Sequence, residues 1–134
     1  MAALRVLVVE DDTNVGALLA ETLEAIGHEV CAIATTEADA VSAALRLRPD
    51  LMIVDVWLGD GNGVSAVAAI ERSISIPHFF ITDDYRRVQT FEPGAVVIRK
   101  PVSQADLAGA ITLALDIAAM ATERISAGRR VRNG

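Results

Sequence analysis

Cysteine and histidine are scarce in this 134-residue chain, and basic residues are outnumbered by acidic ones. Its one thiol, Cys31, cannot close an intramolecular disulfide or supply a cysteine-rich metal centre, so a reducing cytoplasm is expected. Cys31 reads as a small buried hydrophobe, and His28 and His78, far apart in the chain, read as packing residues. Twelve Lys and Arg against eighteen Asp and Glu leave a net charge of -6, which opposes binding to a polyanion. No nucleic-acid partner is expected. The N-terminus lacks a basic region followed by a long apolar run, and no stretch of about 18 uncharged apolar residues occurs. A non-secreted protein without a membrane partner is therefore expected. The glycine patterns G-x-x-x-x-G-K-[ST] and G-x-G-x-x-G are missing too, which argues against a P-loop nucleotide enzyme.

What the chain does have is 52% hydrophobic residues, enough for one domain with a core of its own. Apolar runs at residues 4–9, 51–54, 78–81 and 95–98, with a weaker one at 29–34, predict five strands. Between them lie helical patterns. Val15, Leu18, Leu19, Leu23 and Ile26 form one stripe, closed by Gly27 as a left-handed cap. Thr36 with Asp39, and Ser103 with Asp106, have the spacing of capping boxes that open two further helices. The first of these runs through Val41, Ala44 and Leu45 to Pro49. The second is Ala-rich, carries Leu107, Ile111 and Leu115, and is expected to run to about Met120. A helix from about Val64 to Glu71 follows a loop in which Gly59, Gly61 and Gly63 imply flexibility. Strands apolar on both faces, alternating with helices, imply an α/β fold with a doubly wound five-stranded parallel sheet. Residues 1–120 form the predicted domain. Residues 121–134, rich in arginine, are expected to be a frayed basic tail.

In such a sheet the groups just past the strands' carboxyl ends gather along one edge, where ligands bind. The first strand delivers Glu10, Asp11 and Asp12, the third Asp55, the fourth Thr82 and the fifth Lys100 with Pro101. Crowded carboxylates repel unless a cation neutralises them. Oxygen ligands without imidazole or thiolate suit a hard ion, and Mg²⁺ is the expected cofactor. Asp55 is then placed to act as a nucleophile toward phosphorus, with Lys100 and the metal neutralising charge and Thr82 donating a hydrogen bond.

The anchors V-V-E-D-D at 8–12, M-I-V-D at 52–55, I-T at 81–82 and R-K-P at 99–101 resemble the receiver domains of two-component response regulators, over residues 4–120. The resemblance implies the flavodoxin-like strand order 2-1-3-4-5. It also implies phosphorylation of Asp55 by a sensor histidine kinase or phosphotransfer protein, and an effect on a downstream protein. It implies Glu10, Asp11 and Asp55 as metal ligands with the backbone carbonyl of Trp57, Thr82 and Lys100 as catalytic partners, and a cis bond before Pro101. Asp12 reads instead as the cap of the first helix.

Departures from the family accompany the match. Val97 stands where receivers commonly carry an aromatic switch, and Asp83 and Asp84 follow the threonine where a small residue is usual. Residues 83–94 have weak helical periodicity, so the fourth helix is expected to be shortened or irregular and to become ordered on phosphorylation. These features resemble an atypical subgroup that works with kinases of the HWE/HisKA_2 type. They also keep open a pseudo-receiver, a protein-binding module that signals without phosphorylation. An FMN carrier fits poorly with an acidic first loop, and a haloacid-dehalogenase-type phosphatase would need a second aspartate where Trp57 sits.

Overall fold

The computed structural model describes residues 2–84 and 95–133. In chain order the elements are β1 (Arg5–Val9), α1 (Thr13–Ala25), β2 (Glu29–Ala34), α2 (Glu37–Leu47), β3 (Leu51–Asp55), β4 (Trp57–Leu58), β5 (Gly61–Asn62), α3 (Gly63–Glu71), β6 (His78–Thr82), β7 (Val97–Arg99) and α4 (Gln104–Asn133). Five strands form a sheet of order β2-β1-β3-β6-β7, all pairs parallel, which is the flavodoxin-like order. The expectation of a shortened helix between the fourth and fifth strands of that sheet falls largely on residues 85–94, outside the described residues.

Successive strand residues serve opposite faces, which is why the apolar runs are unbroken. Leu7, Val9, Met52, Val54 and Phe80 pack with Ala40, Ala44, Val67 and Ile70 of α2 and α3. Val6, Val8, Ile53, Phe79 and Ile81 pack with Leu19 and Leu23 of α1 and Leu107 and Ile111 of α4 on the other side. The sheet is thus covered on both faces, and Glu10, Asp55 and Thr82 stand at its carboxyl edge.

The caps are local and follow the sequence. Asp12 accepts hydrogen bonds from the N–H groups of Asn14 (2.9 Å) and Val15 (3.2 Å), Thr36 from Asp39 (3.0 Å) and Ser103 from Asp106 (3.0 Å). Gly27 takes φ +95 and ends α1, with His28 N–H reaching the Leu23 carbonyl and Gly27 N–H that of Glu24. His28 is buried and accepts from the Leu4 N–H, and Cys31 is half-buried with its thiol donating to the Val6 carbonyl. The Lys100–Pro101 bond is cis.

Several expectations need correction. Leu18 is 60% exposed and Leu45 39%, because the sheet covers a narrower stripe of each helix than the apolar periodicity marks out. The last helix does not stop near Met120 but continues to Asn133. Alanine, arginine and glutamate are good helix formers, and no proline interrupts them. The segment Gln104–Arg124 is long and apolar enough to cross a membrane by length and composition alone, and it packs Leu107, Ile111 and Ala114 against the sheet. Finally, the triple-glycine stretch is not a free loop. Trp57–Leu58 and Gly61–Asn62 pair antiparallel as a small hairpin, and Gly63 is already the first residue of α3.

Candidate functional site

β1 and β3 are central neighbours, so Glu10 and Asp55 emerge side by side at the carboxyl edge, and β7 brings Lys100 to the same place. Lys100 Nζ donates to Glu10 Oε1 at 2.7 Å and to Asp55 Oδ2 at 2.6 Å. Its backbone N–H bonds to the Thr82 carbonyl at 2.9 Å, which ties the lysine to the end of β6. The Glu10 side chain is fully buried and that of Asp55 is 6% exposed. Glu10 Oε2 accepts from the Asp12 N–H (3.3 Å) and Asp55 Oδ1 from the Trp57 N–H (3.2 Å). Carboxylate oxygens of Glu10, Asp11 and Asp55 lie within 4.8 Å of one another, with Asp11 facing solvent.

Thr82 is buried at the same edge, and its hydroxyl oxygen accepts from the Asp84 N–H at 3.0 Å. Asp83 is exposed and shares a groove with Asp12, Lys100 and Val102. Trp57 is half-buried, its side chain packed against the α2/α3 core. Its role near the acids is a backbone one. Val97 is half-buried in the same core cluster.

One ammonium faces two enclosed carboxylates, so the pocket carries an excess negative charge. Burial, with Asp55 alongside, raises the Glu10 pKa from 4.5 to about 8. Burial opposes the Lys100 ammonium, but its hydrogen bonds to Asp55 and Glu10 outweigh that and raise its pKa. A raised acid pKa means that the native protein keeps a proton the unfolded chain has lost, so stability falls as pH rises from about 4.5 to about 8. Measured by urea denaturation without divalent metal, the wild type should lose stability across that window relative to Glu10→Gln. A constant difference between the two proteins would contradict it.

The donor set fits a hard divalent cation. Three carboxylates from two segments, Glu10 and Asp11 after β1 and Asp55 at the end of β3, converge, two of them enclosed, with no thiolate or imidazole among them. Glu10, Asp11 and Asp55 are the residues that could hold Mg²⁺. Chemically, the edge offers a carboxylate nucleophile, a fixed ammonium beside it and a hydroxyl on the adjoining strand.

The sequence reading missed two residues that shape this edge. Glu37, the first residue of α2, accepts the Asn62 N–H, and Asn62 caps α3 by accepting from Val64 (2.7 Å) and Ser65 (3.2 Å). An asparagine just ahead of an apolar run is a cap signal that was there to be used. The Glu37 contact spans 25 residues and leaves no local trace.

The doubly wound sheet with an acid cluster and a lysine at its carboxyl edge defines a class of α/β modules. Within it, residues 6–112 match the response regulator receiver domain, and the chain belongs to that family. It is 33% identical over 117 residues to the phyllosphere-induced regulator PhyR of Methylorubrum extorquens, covering 84% of this chain and 44% of that one. It is likewise 33% identical over 115 residues to the transcriptional regulatory protein PdtaR of Mycobacterium tuberculosis, covering 83% and 56%. The chain thus spans about half the length of these curated relatives. Among solved structures, the PhyR receiver domain of Erythrobacter litoralis superposes with a TM-score of 0.78 at 27% identity, over 86% of this chain and 92% of that one. The anti-anti-sigma factor PhyR of Bartonella quintana gives 0.82 at 28%, over 93% and 52%.

Proposed function

We propose that Asp55 accepts a phosphoryl group from the phosphohistidine of a sensor histidine kinase or phosphotransfer protein, in a Mg²⁺-dependent reaction, and that the phosphorylated receiver acts by contact with a downstream protein in the cytoplasm. The observation that carries this reading is the sharing of Lys100 between Asp55 and the buried Glu10. A scaffold has no need to enclose two carboxylates around one ammonium, since an apolar substitute is often as stable. In the reaction an Asp55 oxygen bonds to phosphorus as the P–N bond breaks, and the departing imidazole takes up a proton. Lys100 neutralises charge on the transferring group and the Thr82 hydroxyl donates to it. Bound Mg²⁺ would offset the charge of the acids and of the phosphoryl oxygens. Later attack by water releases phosphate and restores Asp55.

The Bartonella quintana relative is named an anti-anti-sigma factor, a protein whose effect runs through other proteins, which agrees with signalling by contact. The pseudo-receiver reading draws on Val97, which leaves the usual aromatic switch without a counterpart. Intact-mass measurement after incubation with acetyl phosphate and Mg²⁺ separates the two. The wild type should gain one phosphoryl group, and neither Asp55→Asn nor the wild type in EDTA should do so. Absence of any gain in the wild type would favour the pseudo-receiver.

A further inference from the structure

We infer that Glu37 is a positioning residue for the candidate phosphoacceptor, holding the hairpin after Asp55 in place from outside the acid cluster. This rests on the functional reading above for its consequence, but on separate contacts for its geometry. The hairpin has only two residues in each strand, and Gly59 between them takes φ +55. A strand pair of that size has little stability of its own. Yet it contains Trp57, whose N–H donates to Asp55 Oδ1, and Gly59, where an added Cβ would stand 3.7 Å from Asp11 Oδ2. Whatever fixes the hairpin therefore fixes the backbone next to two of the three acids.

Asn62 is the point at which it is fixed. It sits opposite Trp57 in the hairpin, its side chain caps α3, and its N–H is bound by Glu37 Oε1 at 2.5 Å. Because Glu37 opens α2, its carboxylate lies in the favourable first turn of that helix and is anchored to a core element rather than to a loop. Gly61 permits the approach: a Cβ there would come within 3.0 Å of Glu37 Cγ and 3.3 Å of Oε1. The path from α2 to the acceptor is thus Glu37 to Asn62, across the hairpin to Trp57, and from its N–H to Asp55. Glu37 touches no reacting atom. It needs only an acceptor oxygen, which an amide also supplies.

Glu37→Ala, Glu37→Gln and Gly61→Ala provide the test, with two readouts. In metal-free protein, amide exchange at Asn62 and Trp57 should rise by about tenfold or more in Glu37→Ala and stay near wild type in Glu37→Gln. The initial rate of acetyl phosphate modification with Mg²⁺ should fall roughly 10- to 100-fold in Glu37→Ala, as for a misplaced reacting group, and recover in Glu37→Gln. Gly61→Ala, which pushes on the same side chain from the hairpin, should shift both readouts in the direction of Glu37→Ala and decides the matter if that variant folds poorly. Unchanged exchange at Trp57 in both alanine variants, or a glutamine variant as impaired as alanine, would overturn the inference. If the wild type itself takes up no phosphoryl group, the functional reading fails, while the exchange readout still decides whether Glu37 holds the hairpin.

Discussion

Gly63→Ala should destabilise the protein by about 3 kcal/mol or more, lowering its thermal midpoint by roughly 10 °C. A Cβ at this position would lie 2.0 Å from the Asp55 carbonyl oxygen and 2.6 Å from Val54 Cγ1, and neither neighbour is the free end of a flexible side chain. Gly63 N–H is also bound to the Val56 carbonyl at 2.8 Å, so the start of α3 cannot back away without breaking that bond. The clash falls on the backbone of the residue carrying the acceptor carboxylate, and phosphoryl uptake should fall along with stability. Gly109→Ala is the control. Nothing lies within 4 Å of a Cβ there, and alanine in an exposed helical position should stabilise by up to about 1 kcal/mol. Urea denaturation of the two variants checks the pair, and equal effects would contradict the packing described at the end of β3.

Lys100→Met should slow phosphoryl uptake by about 10²- to 10³-fold, the loss found when one preorganised donor is removed from developing charge. Methionine keeps the length of the stem but leaves Glu10, fully buried, facing Asp55 with no cation between them. Removing one partner of an enclosed ion pair costs about 3 kcal/mol, so the metal-free variant should also be less stable near neutral pH. Lys100→Arg should not recover the rate, since a planar guanidinium is a poor substitute for a compact ammonium between two carboxylates. Single-turnover kinetics with acetyl phosphate decide this, and a methionine variant reacting at the wild-type rate would remove Lys100 from the chemistry.

The parts of the fold legible in the sequence were those determined within a few residues. Asp12, Thr36 and Ser103 cap helices through bonds to N–H groups two or three positions on. Apolar runs that end in a charge or hydroxyl marked the strand ends at Glu10, Asp55 and Thr82, and a parallel sheet sends such ends to one edge. What the sequence hid depends on distant neighbours. Leu18 belongs to an apolar stripe by spacing, but whether the sheet reaches it is settled by how α1 lies, and it is exposed. Gly61 and Gly63 looked like freedom and are instead crowding, one against Glu37 and the other against the Asp55 carbonyl. The end of α4 was hidden because an arginine-rich stretch reads as a solvated terminus, whereas its helix propensity carries the helix on to Asn133.

The most direct measurement is the identity of the modified residue. Protein treated with acetyl phosphate and Mg²⁺ is reduced with borohydride, which converts an acyl phosphate to an alcohol, and its peptides are mapped by mass spectrometry. The pocket built from Glu10, Asp11, Asp55, Thr82 and Lys100 requires conversion at residue 55 alone, dependent on Mg²⁺. Conversion at Asp11, Asp83 or another acid, or at residue 55 equally in EDTA, would contradict it.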